Sequence, residues 1–287
     1  MLAPPFTPPV TLNCNGILVS MQDPLVMGVI NITTDSFYPG SKVMDEHSIV
    51  DRAGQMVAEG ADFIDLGAMS SRPGAELLPI ELERDRLVMT CQLIRSKFPD
   101  VLLSIDSFRL PVLEALLPFG IHLINDISAG AGNEAIWSFA AHHQLPYVLM
   151  HMRGNPSTMN TLTTYEDIVA DMLDFYIQRI PDIVRAGVKD IILDPGIGFA
   201  KTVEQNFYLL RQLHIFTLLE LPLLIGLSRK SLVWKTLEIT PEEALNGTTA
   251  LHMQALNQGA RILRVHDVKA ARQTIQLWKK LQQSITD

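Results

Sequence analysis

The feature that most constrains this chain is a repeat of short apolar runs separated by longer segments. Leu25–Ile30, Asp62–Leu66, Leu102–Ile105, Ile121–Ile124, Tyr147–Met150, Asp190–Leu193, Leu223–Leu227 and Ala260–Val265 are eight such runs, rich in Val, Ile and Leu. They show little polar alternation, so both faces of each strand are expected to be buried, as in a parallel sheet covered by helices. The gaps are long enough for crossover helices, and eight βα units predict a (β/α)8 TIM barrel. The competing fold, a doubly wound open sheet, should carry Gly-x-Gly-x-x-Gly after its first strand; here Leu25–Ile30 leads into Asn31-Ile32-Thr33-Thr34-Asp35. A chain of 287 residues with 47% hydrophobic and 19% charged residues fits one such barrel.

Local signals fill in the rest. Residues 1–10 hold four prolines and no basic cluster, and read as an irregular tail, not a signal peptide. Asn15-Gly16 between two short apolar stretches predicts a β-hairpin over residues 11–20, a small cap on the barrel, so that 11–287 forms one domain. Asp45 is placed to cap a helix whose inner face is Ile49, Ala53, Met56 and Val57, with Gly60 at its end. Thr202 to Gln205 and Thr240 to Glu243 have the spacing of capping boxes. Val268, Ala271, Ile275, Trp278 and Leu281 form the stripe of a final helix, and Pro181 marks a kink or break in an earlier one.

Charge narrows the function. The formal net charge of −8 argues against nucleic acid and membrane surfaces as partners. No apolar run reaches the roughly 18–20 residues of a membrane span. Cys14 and Cys91, the only cysteines, have no metal-ligand spacing and suit a reducing cytoplasm.

Barrel active sites lie at the C-terminal ends of the strands. The polar groups at those ends are Asn31, Asp65, Asp106, Asn125 with Asp126, His151, Asp194, Ser228-Arg229-Lys230, and Arg264 with His266. A single strand-end Asp serves a turn as readily as a ligand, but a full ring of such groups implies a small polar ligand. The cations Arg229, Lys230, Arg264 and His266 follow the last two strands, where barrels often bind phosphate, and Arg72 could join them. Asp106, Asp194 and Asn125 suit a flat heterocycle with a guanidine-like edge, and Asn31 offers a neutral oxygen to magnesium beside substrate phosphates. No nucleophile of the Ser-His-Asp or Cys-His kind stands out. His47, His122, His142, His143, His214 and His252 are expected to be surface or satisfied core residues.

Several ordered motifs resemble dihydropteroate synthase. They are residues 26–37 (VMGVINITTDSF), Ser71-Arg72-Pro73-Gly74, residues 194–199 (DPGIGF), Ser228-Arg229-Lys230-Ser231 and residues 264–268 (RVHDV), and together they span most of the chain. The resemblance implies a pterin-binding barrel that joins 7,8-dihydropterin-6-ylmethyl diphosphate to 4-aminobenzoate in folate synthesis, with Mg2+ and by an SN1-like mechanism. Carried onto this chain, it implies that Asp106, Asn125, Met150, Asp194 and Lys230 bind the pterin. Asn31, Arg264 and His266 would hold diphosphate, with Asn31 also at the metal. Ser71, Arg72, Pro73, Phe199, Ser228 and Lys230 would receive the aminobenzoate. Asp106, Lys230, Arg264 and His266 would carry catalysis. A homodimer formed by outer helices near the C-terminus and sensitivity to sulfonamides are also implied; His151 receives no role.

The chain departs from the family pattern in two loops. Thr34 replaces a proline, and Tyr38-Pro39-Gly40-Ser41 replaces an Asp-Gly-Gly tail; Ala68-Met69 and Ser71 alter the second loop. These changes motivate one alternative, a non-catalytic pterin-binding paralogue; a second, a methyltetrahydrofolate-dependent corrinoid methyltransferase, shares the grip of Asp and Asn on a pterin edge. The second would not need the cations retained at Lys230, Arg264 and His266.

Overall fold

The structure is a computed structural model, and it describes residues 11–32, 46–69 and 77–283. The tail at residues 1–10, the expected cap at Asp45, most of the first loop and Ser71, Arg72 and Pro73 lie outside the described residues.

A hairpin comes first, β1 (Thr11–Cys14) paired antiparallel with β2 (Ile17–Ser20). Its turn residues Asn15 and Gly16 both have positive φ, as the Asn-Gly pair predicts. Eight parallel strands follow: β3 (Leu25–Asn31), β4 (Phe63–Gly67), β5 (Leu102–Asp106), β6 (Ile121–Asp126), β7 (Tyr147–Met150), β8 (Ile191–Asp194), β9 (Leu223–Ile225) and β10 (Ala260–Val265). They pair in sequence order, and β10 closes on β3, which makes a barrel and excludes the open sheet. The strands from residues 62 and 190 begin one residue later than the apolar runs, and β9 is shorter than its run.

Nine helices accompany the strands among the described residues: α1 (Glu46–Ala58), α2 (Ile80–Lys97), α3 (Leu110–Leu116), α4 (Ala135–His142), α5 (Ile168–Arg185), α6 (Val203–Gln212), α7 (Ser231–Leu237), α8 (Leu245–Asn257) and α9 (Val268–Gln282). Both α7 and α8 lie between β9 and β10, one helix more than a plain βα repeat. Thr202 caps α6 in a complete box with Gln205. The second expected box does not start a helix: the Glu243 carboxylate accepts the Thr240 N–H at 3.0 Å, but α8 begins only at Leu245. Pro181 neither ends nor breaks α5, which runs through it. Val57 and Leu281, expected on inner faces, are exposed, while Ile49, Ala53, Met56, Val268, Ala271 and Ile275 are buried.

Two apolar layers hold the barrel. The outer one packs Ile64, Leu103, Ile124, Leu149, Leu193 and Leu263 against the helices. The inner one fills the lower lumen with Met27, Phe63, Leu123, Val148, Ile192, Leu224 and Ile262, and Leu12, Cys14 and Met21 join it from the hairpin segment. The hairpin therefore plugs the N-terminal end of the barrel, as its place before the first βα unit suggests. Period-two alternation produces both layers, since neighbouring residues of a strand face opposite sides. No described helix is long and apolar enough to cross a membrane.

Candidate active site

Above the apolar lumen the inward positions turn polar. Asp65 in β4, Ser104 in β5, Asn125 in β6 and Arg264 in β10 meet there. Fully buried Asp65 accepts hydrogen bonds from Ser104 Oγ at 2.5 Å, Asn125 Nδ2 at 3.1 Å and Arg264 Nε at 2.7 Å. Nη2 of Arg264 lies 2.7 Å from both Asp65 and Asp106, so one guanidinium joins two carboxylates across the barrel. Burial works against the charge of Arg264, but Asp65 and Asp106 outweigh it and hold the group protonated beyond its ordinary range. Asp65 is visible in the sequence as a strand-end acid, yet nothing local marks it as the hub of this network. Its partner Arg264 is 199 residues away in sequence.

Asp106 is strongly changed by its setting. Burial pushes its carboxyl up to about 7; Arg264 pulls it down, and the carboxylates of Asp65, Glu83 and Asp126 push it further up. Burial likewise raises Asp194, with Lys230 opposing. Lys230 is lowered to about 8, chiefly by burial, while Asp194 opposes and Arg264 adds to the shift. Burial thus raises both carboxyls and lowers the ammonium, the kind of perturbation that marks a ligand-binding site.

The turn after β8 carries two tasks at once. Asp194 Oδ1 accepts the Gly196 N–H at 2.8 Å, which builds the tight turn expected of Asp-Pro-Gly. Lys230 crosses from the turn after β9, donates to the Ile197 carbonyl at 2.5 Å and lies 4.5 Å from the centre of the Phe199 ring. Met150, Phe199, Ile127, Met159 and Ala200 form an apolar cluster beside it. The pterin candidates Asp106, Asn125, Met150, Asp194 and Lys230 are thus brought to one end of the barrel by five different strands or strand-end turns.

The adjacent cations Arg229 and Lys230 part company. Arg229 takes a left-handed backbone (φ 54°), and its N–H is held by Thr248 Oγ1 at 3.1 Å. Its side chain reaches Asp267 (2.8 and 2.9 Å) and the Pro241 and Glu242 carbonyls, whereas Lys230 reaches the loop after β8. Ser228 Oγ accepts the His266 N–H at 3.1 Å and lies 3.1 Å from His266 Nδ1. That hydroxyl supports His266, whose pKa burial and Arg264 lower to about 4, leaving a neutral imidazole at the end of β10.

Two other ring candidates face outward. Asp126 accepts Tyr147 Oη at 2.6 Å and the N–H groups of Ser128 and Gly130, and shapes a turn. His151 packs against Phe175 and touches Lys201 behind the loop. Among the histidines assigned to the surface or a satisfied core, His122 accepts the Leu103 N–H at 3.1 Å, but buried His252 meets no partner at either ring nitrogen.

Asn31 stands at the exposed end of β3, where bare Gly67 lets it approach: a Cβ at Gly67 would lie 3.4 Å from Asn31 Oδ1 and 3.3 Å from Asp106 Cβ. No cluster of three or more His, Cys, Asp or Glu capable of holding a metal occurs among the described residues. A single neutral oxygen fits magnesium that takes its remaining ligands from substrate phosphate and water.

Comparison with known proteins supplies the family. The family described as "Pterin binding enzyme" matches residues 27–266. A dihydropteroate synthase of Synechocystis sp. is 43% identical over 251 residues, covering 86% of each chain. The Yersinia pestis dihydropteroate synthase, solved with a sulfonamide drug complex, superposes with a TM-score of 0.90 at 36% identity, covering 96% of this chain and all (100%) of that one. The Thermus thermophilus enzyme, solved in complex with 4-aminobenzoate, gives 0.84 at 36% identity, covering 94% and 99%. With its barrel, polar ring and near full-length likeness, the chain belongs to the pterin-binding enzymes, within the dihydropteroate synthase family.

Proposed function

We propose that this chain condenses 7,8-dihydropterin-6-ylmethyl diphosphate with 4-aminobenzoate, giving 7,8-dihydropteroate and diphosphate. The observation that carries the reading is the joint placement of Asp106, Asn125, Asp194, Lys230 and Arg264 over the Met150–Phe199 wall. Asp194 and Asn125 suit the amino and ring N–H edge of a pterin, and Lys230 its carbonyl or ring nitrogens. Arg264 and neutral His266 lie on the side where the diphosphate would sit, and Phe199 with Lys230 would receive the aminobenzoate. Ser71, Arg72 and Pro73 complete that pocket in this reading.

In the reaction, the bond from the methylene carbon to the diphosphate oxygen breaks and diphosphate leaves with the electron pair. Arg264 and the His266 ring stabilise the departing charge, and Asp106 offsets the cation spread over the dihydropterin. The amine nitrogen of 4-aminobenzoate, aligned against Phe199, then bonds to the carbon and gives up a proton to water. Magnesium, when bound, would add positive charge at the diphosphate oxygens, and Asn31 would hold it.

We further propose that the chain works as a homodimer in the cytoplasm. Exposed Leu237, Leu245, Leu277 and Leu281 on α7, α8 and α9 support a contact there, and free, buried Cys14 and Cys91 support a reducing compartment. Diphosphate release from the dihydropterin diphosphate, dependent on 4-aminobenzoate and Mg2+, tests the activity. Pterin binding without release would make the chain a non-catalytic relative instead.

A further inference from the structure

The loop from Gly196 to Lys201 carries Phe199 into the site, and its backbone is unusual. Gly196, Gly198 and Ala200 all have positive φ (62°, 86° and 50°), so the chain doubles back repeatedly. The loop also presses against the end of β7: a Cβ at Gly196 would lie 2.2 Å from the His151 carbonyl oxygen. Such a path needs fixed partners for its carbonyl groups.

Those partners include a lysine that no sequence motif singles out. Lys201 is only 8% exposed, and its ammonium approaches the Phe199 carbonyl at 2.9 Å, the Gly196 carbonyl at 3.1 Å, His151 Nδ1 at 3.2 Å and the His151 carbonyl at 3.3 Å. Lys230 in turn holds the Ile197 carbonyl of the same loop. Asn206 Oδ1 takes the Gly198 N–H at 2.7 Å, and Tyr165 Oη donates to the Ala200 carbonyl at 3.0 Å. Burying an ammonium costs free energy, and burial lowers Lys201 to about 7 although Asp194 opposes the shift. A neutral His151, pulled down to about 2 by burial and by Lys201, is the matching acceptor.

We propose that Lys201 is a positioning residue for the aminobenzoate wall: it ties the backbone of Gly196 and Phe199 to the end of β7, and His151 is its anchor. Through that tie the Phe199 ring keeps its place beside Lys230. The inference rests on the synthase reading and adds to it a residue that touches neither substrate.

The test is steady-state kinetics of the full chain carrying Lys201→Met, with each substrate varied in turn. The KM for 4-aminobenzoate should rise about tenfold, while that for the dihydropterin diphosphate stays within about twofold. Because Lys201 acts through Phe199, the double variant with Phe199→Ala should be no worse in aminobenzoate KM than Phe199→Ala alone. Should Lys201→Met fail to fold, His151→Ala keeps the backbone carbonyl and should show the same one-sided rise on a smaller scale. Equal effects on both Michaelis constants, unchanged constants with only a lower active fraction, or effects of the two substitutions that multiply would overturn the assignment. An unmodified chain that releases no diphosphate would instead refute the synthase reading on which it stands.

Discussion

The lower and upper halves of the barrel lumen are built by the same eight strands and behave as different materials. Below, Met27, Phe63, Val148, Ile192, Leu224 and Ile262 fill the space with side chains that need only volume and shape. Above, beginning at Asp65, Ser104 and Asn125, inward positions become charged, hydroxyl or amide groups whose partners are fixed one by one. A change below alters many weak contacts, whereas a change above strands a charge that another residue was holding. The barrel thus separates stability from chemistry along its axis, and the hairpin seals the end where no chemistry is placed.

Four outcomes would break or sharpen that contrast. The largest is expected for Asp106→Ala, which removes the acid facing both Arg264 and the developing cation; kcat should fall about 100- to 1000-fold with the fold retained, measured by diphosphate release and thermal unfolding. Near-normal kinetics would mean that the upper ring is structural. Arg264→Ala should weaken binding of the diphosphate-bearing pterin about 100-fold and that of a plain pterin far less, read by calorimetry. Equal losses would place Arg264 on the pterin, not on the anion.

The pH profile comes next. Asp106, with its carboxyl raised to about 7, is ionised above that value and gains a proton as pH falls through it. Lys230, lowered to about 8, loses its charge as pH rises through that value. kcat/KM should therefore form a narrow bell, falling about tenfold per pH unit on the acid side, and Asp106→Asn should remove that acid limb. Smallest in its effect on turnover is a change in the lower half: Leu224→Ala should cost about 2–5 kcal/mol in denaturant unfolding but leave both Michaelis constants within about twofold. Altered substrate affinity in that variant would erase the distinction between the halves.

Much of the site is legible in the chain because a barrel places strand ends in one ring. Asp106, Asn125, Asp194, Lys230 and Arg264 all stand out by position at or just after an apolar run. What escapes such a reading is orientation and partnership. His151 and Asp126 end strands as the others do, yet alternation turns them outward. Lys201 lies beyond the Asp-Pro-Gly turn with no motif of its own, and its importance arises from three carbonyl groups that converge only after the loop has folded. Ser228, expected at the aminobenzoate, also meets His266 through its hydroxyl, a partnership that nothing local in the sequence signals.

By itself, the sequence determined the elements and their order, because helix and strand periods, the Asn-Gly turn and the Thr202 cap are local properties of a few residues. Order and burial then left the barrel as the best arrangement. Tertiary structure decided that Arg264 would be shared by Asp65 and Asp106, and that of two neighbouring cations Lys230 would face the site while Arg229 turned to Asp267. Those choices depend on ring closure and on one left-handed residue, which bring together groups with no local signal linking them. The physical reason is that pairing of charges is set by distance in space, and distance in space is what the closing of the barrel creates.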